Sequence, residues 1–307
     1  MRHPSLRYTY SGHIFIDSED DIDAVVDAML ESGYNEEFCI AQDFNPSFIA
    51  RLMAAGFLVM SAVIEDNETS DDAEQTDEDA RYMAEDGAGL QREAPPQKLY
   101  FLLPKLHLVR NVLFFENLHI KKSIKHLLNR YELRVDTDFD LILNHCVWTH
   151  GSDWLTSPLV ETIRKIRKAA PPLEKFIPAI RSERRNTAGF SHYTSSLMEV
   201  HHRIFGRCSS VLGIPSVRPV SFGVYRNGEL KAGEFGIIEG RVYTSYSGYY
   251  DEDNAGTVQI ILTAQYLQSA GFDFFDMGMP LAYKYALGSQ DIDPFSFVKL
   301  FRRAQMC

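Results

Sequence analysis

The pair Asn227-Gly228, set between two β-rich runs, constrains this chain more than any other feature. An Asn-Gly loop takes a type I′ turn, whose positive φ at both centres matches the twist of paired strands. Gly223 to Tyr225 and Lys231 to Ile238 are therefore expected to form a hairpin. Glu239-Gly240 makes a second turn into Val242, Tyr243, Thr244 and Tyr246, a third strand. Asp253 or Asn254 can cap a helix running to about Ala270, with Val258, Ile261 and Leu262 on one face and Gly271 at its end. Phe272 to Asp276 reads as a short buried strand ending in a carboxylate. A last helix starts near Pro294 and carries Phe297, Leu300 and Phe301 on its apolar side. Meander, helix, strand and helix together predict a mixed α/β (α+β) sheet.

Upstream, Ile14 and Ile16 suggest a strand, and Asp20 to Ser32 an amphipathic helix with Ile22, Val25, Val26 and Met29 inward. Phe38 to Ala41 reads as a short strand, and Asn45-Pro46-Ser47 caps a second helix that Gly56 ends. Residues 1–64 are thus expected to form a smaller N-terminal α/β part. Leu99 to Leu103 and Leu108 to Phe115 resume as strands, and a helix with Ile124, Leu127 and Leu128 inward follows.

Charge is unevenly placed. The net charge is −11, yet Glu65 to Lys98 holds twelve acids against three bases, so the rest of the chain is near neutral. That acidic stretch lacks periodicity and contains Pro95-Pro96, so residues 65–97 are expected to be a disordered or mobile insertion. An acidic mimic of RNA phosphate is the functional alternative. Between Lys105 and Arg134 seven Lys/Arg face two acids, with Lys121, Lys122, Lys125 and Arg130 on the outer faces of the predicted helix. They form either a solvated helix face or a surface for phosphate. A second basic run, Arg164 to Arg185, enters a basic insertion expected near 168–215 and reads as an exposed connector or a further phosphate surface. Ser195 to Arg207 is expected to be helical.

Several chemistries find no support. Cys39, Cys146, Cys208 and Cys307 have neither paired nor metal-ligand spacing, and His145 and His150 lack a third ligand. His201-His202 is not a zincin pattern, and Ser191-His192 has no nucleophile elbow. No apolar run reaches the roughly 18 residues of a membrane span, and Met1-Arg2-His3-Pro4 opens no signal peptide, so the expectation is a cytoplasmic protein without membrane or metal partners.

Taken as a series, these segments resemble the bacterial leucyl/phenylalanyl-tRNA–protein transferases. That family's Gly-Glu-Ser-Met-Phe-Ser falls on Ser245, Tyr246, Ser247, Gly248, Tyr249 and Tyr250, and its Asn-Ala-Ser on Asn254, Ala255 and Gly256. Asp-Cys-Gln falls on Asp276, Met277 and Gly278, and His-x-x-Ser-Leu-Gly on the run from Tyr283 to Gly288. Asn117 to Ile124 matches a segment of the Phe-His-Val-Ser-Arg-Ser-Leu type. The run from Cys39 to Ser61 is similar to the N-terminal signature, although the family's aromatic pair is replaced by Met60 and Ser61. The motif Glu, Gln and His are here Tyr246, Gly278 and Tyr283.

The resemblance implies a GNAT-like acyltransferase domain over 98–307 and transfer of leucine, phenylalanine or a similar amino acid. The donor is aminoacyl-tRNA, used as co-substrate with no other cofactor, and the acceptor is a protein or peptide with N-terminal Arg or Lys, marked thereby for degradation. DNA is not an implied partner. Asp276 is the carboxylate expected to bind the cationic acceptor or steer a proton, with capping of the next turn as its structural alternative. Tyr246 stands as a hydrogen-bond donor in place of the family's Glu, and Ser247 as a polar neighbour; with Asp276 they are the expected catalytic residues. Lys121, Lys122, Lys125 and Arg130 are the expected tRNA contacts. Two other readings stay open. One is a non-catalytic tRNA- or degron-binding descendant, suggested by the replaced Glu, Gln and His. The other is a CoA-dependent N-acyltransferase, disfavoured because Asp251, Glu252 and Asp253 would repel phosphate at the helix start.

Overall fold

The structure, a computed structural model, describes residues 4–65, 98–170, 173 and 217–305. The expectations for residues 66–97, for most of the 168–215 insertion and for the Ser195–Arg207 helix lie outside these residues, as do Ser191, His192, His201 and His202.

Strands β1 (Arg7–Tyr8) and β2 (Ile14–Phe15) pair ahead of helix α1 (Ile22–Glu31). Asp21 caps α1 by accepting from the Ala24 N–H, and Ile22, Val26 and Met29 are buried on its inner face. Phe38–Ala41 forms isolated bridges rather than a strand: Ile40 meets Phe15, and Ala41 meets Leu102. Helix α2 (Pro46–Ala54) begins at Asn45, whose side chain accepts from the Ser47 N–H, with Pro46 in the first turn. Strands β3 (Leu58–Glu65) and β4 (Lys98–Lys105) then pair antiparallel, with Glu65 opposite Lys98. The acidic stretch is therefore inserted between two residues that face each other across one hairpin.

The larger sheet comprises β5 (Arg110–Leu113), β6 (Glu132–Val135), β7 (Arg218–Arg226), β8 (Glu229–Glu239), β9 (Val242–Tyr250), β10 (Phe274–Gly278) and β11 (Gln290–Ile292). Its order is β11-β5-β10-β9-β8-β7-β6. Every neighbouring pair is antiparallel except β9 with β10. The β7–β8 turn has Asn227 at φ 54° and Gly228 at φ 83°, as the Asn-Gly pair requires. The strand expected from Leu108 to Phe115 is shorter, because Phe115–Asn117 closes into a 3-10 turn.

Helices complete two layers: α3 (Lys122–Leu128), α4 (Phe139–His150), α5 (Ser157–Ala169), α6 (Ala255–Ser269), α7 (Ala282–Tyr285) and α8 (Pro294–Gln305). Helices α6 and α3 cover one face, where Val258, Ile261 and Ile124 pack on Phe222, Tyr243 and Phe275. The other face packs Phe235, Val242 and Phe274 against α2, α4, α5 and α8. Adjacent residues such as Phe274 and Phe275 therefore enter opposite cores, the two-residue period of a strand buried on both sides. That second core also takes in Leu6, Ile16, Val26 and Phe48, so the N-terminal residues share it with the large sheet.

Candidate active site

The parallel pair β9–β10 holds register only as far as Thr244 opposite Asp276. Beyond that point β10 turns away at Gly278 and β9 continues to Tyr250 beside β8 alone. The two strands thus open into a fork, with Asp276 at its crotch. Gly278 has φ 74°, a conformation glycine adopts without strain, and it lets the chain leave the strand there.

Asp276 is fully buried and forms a two-point pair with the equally buried Arg110 of β5. Arg110 Nε donates to Oδ1 at 2.8 Å and Nη2 to Oδ2 at 2.6 Å. Thr244 Oγ1 donates to Oδ2 at 2.9 Å, and the Gly278 N–H to Oδ1 at 3.0 Å. A carboxylate offers about four acceptor sites, so all are taken. Arg110 is held in turn: its Nη1 donates to His107 Nδ1 at 2.9 Å, and its guanidinium lies 4.4 Å from the centre of the Phe297 ring. Burial, with the Arg110 charge beside it, pushes His107 down to about 2, so this imidazole is neutral and free to accept.

Tyr246 faces the same side as Asp276 but is engaged elsewhere. Its hydroxyl accepts from the Val59 N–H at 3.1 Å and donates to the Phe57 carbonyl at 3.4 Å, pinning the start of β3 to β9. Burial raises the phenol well above its usual range, so it is no base. Arg110, Thr244, Tyr246, Phe57 and Phe301 line a small cavity with Glu239. Glu239 is buried with Oε2 unpartnered among the described residues, and burial raises it to about 8. Ser247 is buried on β9 under α4, where its carbonyl accepts from Cys146 Sγ. Of the three expected catalytic residues, Asp276 and Tyr246 share one face of the fork, and Ser247 lies farther along β9.

Two further polar residues gather at the fork, and neither stood out in the sequence. Glu234 of β8 is buried beneath α6; it accepts from Ser245 Oγ at 2.9 Å through Oε2, while Oε1 has no partner among the described residues. Burial raises this carboxyl to about 7. Lys284 of α7 is buried too, and its Nζ donates to the carbonyls of Met277 (2.5 Å) and Met279 (2.8 Å), where β10 leaves the sheet. Burial lowers the lysine to about 8, against the pull of Asp276 and Glu234. The available signals were a Glu in the inward register of an otherwise apolar strand and a lone cation in the run from Met279 to Gly288.

The expected tRNA contacts sit close by. Lys121, Lys122, Lys125 and Arg130 are exposed in and beside α3, and none forms an ion pair with another described residue. The entry to α3 lies against the turn after α7: His119 N–H donates to the Leu287 carbonyl at 2.9 Å. At Gly288, φ 94°, an added Cβ would stand 1.9 Å from the Asn117 carbonyl oxygen. The basic helix and Lys284 therefore belong to neighbouring turns.

Comparison with known proteins bears on the same region. The family model described as Leucyl/phenylalanyl-tRNA protein transferase matches residues 216–302, the stretch that supplies β7 to β11 and both prongs of the fork. A curated leucyl/phenylalanyl-tRNA–protein transferase of Pseudomonas putida (strain W619) is 28% identical over 194 residues, covering 61% of this chain and 65% of that protein. The Pseudomonas entomophila protein of the same name is 26% identical over the same shares, and that of Campylobacter lari 23% identical over 63% of this chain and 68% of its own length. The match thus spans just under two thirds of the first two relatives. Over this stretch the chain is similar to the leucyl/phenylalanyl-tRNA–protein transferases, with the motif Glu and Gln replaced by Tyr246 and Gly278.

Proposed function

We propose that this protein transfers leucine, phenylalanine or a similar amino acid from charged tRNA to the N-terminal Arg or Lys of an acceptor protein, marking it for degradation in the cytoplasm. The observation that carries the reading is the family match over 216–302, which contains Asp276 and both strands that part beside it. The sheet is read as GNAT-like, the parallel β9–β10 pair being the splayed pair of that fold. The division into 1–64, 65–97 and 98–307 belongs to the same proposal. Lys121, Lys122, Lys125 and Arg130, exposed and without an ion pair among the described residues, suit the phosphates of an acceptor arm, whose neutralisation releases counterions.

Aminoacyl transfer is attack of an amine on an ester. The acceptor's α-amine has a reference pKa of about 7.7–8.0, so a neutral fraction exists at pH 7 and the protein's main work is placement. Asp276 serves this by fixing Arg110, Thr244 and the Gly278 N–H in one network rather than by touching the acceptor, since its oxygens are already filled. Tyr246 fixes the Phe57–Val59 segment over the fork, and Ser247 supports β9 beside it. A non-catalytic descendant that binds tRNA or a degron is the second reading, favoured by the same filled carboxylate and by Gly278 in place of a side chain.

The test is transfer of labelled leucine or phenylalanine from charged tRNA to a peptide with N-terminal Arg or Lys. Transfer is expected. Tight tRNA binding without transfer of either amino acid would favour the second reading.

A further inference from the structure

Asp276 has no free acceptor and Tyr246 no basicity, which leaves the proton of the attacking amine without a destination among the residues first expected to be catalytic. We propose that Lys284, seated in the β9–β10 fork between Glu234 and Asp276, is the catalytic base of the transfer. The inference rests on the transfer reading above. Two of the three amine hydrogens of the cation are spent on the Met277 and Met279 carbonyls, which fixes the nitrogen in the gap and leaves one position to exchange a proton. Its chain neighbours Met279, Leu281 and Tyr283 are exposed, so the segment that carries the amine borders solvent.

The charges around it set the balance. Asp276 from β10 and Glu234 from β8 favour the ammonium; Arg110 from β5 and burial oppose it. His107 is neutral, and the Tyr283 ring centre lies 5.8 Å from Nζ. A lysine so placed has an appreciable neutral fraction near physiological pH, as base and nucleophile lysines do. In the reaction the acceptor nitrogen forms a C–N bond to the ester carbonyl carbon and gives its proton to neutral Lys284. The C–O bond to the terminal ribose breaks, and the ribose oxygen takes that proton from the Lys284 ammonium. No other reactant is needed, and the lysine ends as it began.

The experiment compares kcat/KM against pH for wild type, Lys284→Arg and Glu234→Gln, with labelled leucyl-tRNA and a peptide bearing N-terminal Arg. Lys284→Arg retains a cation for the two carbonyls but cannot lose a proton. Its melting temperature should stay near wild type while the rate falls about 100-fold or more. Lys284→Met, matched for length, checks the same loss without the charge. Glu234→Gln removes a charge that favours the ammonium, so the rising limb should move to lower pH. The acceptor's own amine titrates alike in all variants, so only a shift between them is diagnostic. Wild-type rates in a folded Lys284→Arg protein, or an unmoved limb in Glu234→Gln, would overturn the assignment while transfer stands. Absence of transfer in wild type at every pH would overturn both readings.

Discussion

Asp276 and Arg110 show how much a single pair decides here. Removing one partner of a buried ion pair leaves the other charged and unsolvated, a loss of about 3–5 kcal/mol. Asp276→Ala should therefore lower the melting temperature by roughly 10 °C as well as abolish transfer. An unchanged melting curve would mean that Arg110 finds water or another partner. Glu239 gives a prediction with a pH sign. Burial raises its carboxyl from 4.5 to about 8, so the folded state holds the proton more tightly than the unfolded chain. Its contribution is complete below 4.5 and is lost as pH rises towards 8. Glu239→Gln should flatten that decline, as read by urea midpoints at low and high pH; parallel curves for the two proteins would contradict it. At this scale the sequence was partly legible. A carboxylate ending an apolar strand picked out Asp276, but nothing local marks Arg110 as its partner, since the two lie on strands far apart in the chain. Glu234 and Lys284 were missed for the same reason: a charge in an apolar run becomes meaningful only when its neighbours across the sheet are known.

Elements were read better than residues because their signals are local. Asn227-Gly228, Asn45-Pro46 and Gly271 each punctuate where the structure turns, starts or stops a helix. Asn254 differs: it precedes α6 at φ 66° without a side-chain cap, because the tight exit from β9 sets its conformation. Phe38–Ala41 has strand-like residues but meets neighbours at only two points, so tertiary context reduced it to bridges. Two tests belong here. Gly288→Ala combines positive φ with a clash against Asn117, so it should cost about 2 kcal/mol or more and loosen α3 from α7. Unfolding midpoints equal to wild type would contradict this. Lys121→Glu with Lys122→Glu should weaken charged-tRNA binding and reduce the slope of log affinity against log salt by about 2. Unchanged slopes would place the RNA elsewhere.

Across the whole molecule, the mixed sheet followed from the order of hairpin, helix and strand, and the fork follows from one parallel pair in an otherwise antiparallel array. The sharing of one core between the N-terminal residues and the sheet was not legible. Periodicity tells which face of an element is buried, but not what buries it. The account makes one spatial claim above all: charged tRNA engages the fork and the basic helix α3 together. Hydrogen exchange of the full chain with and without leucyl-tRNA measures this directly. The account predicts slowed exchange at 119–130 and 274–288, with α1 unaffected. Protection confined to other segments, or none at saturating tRNA, would contradict it.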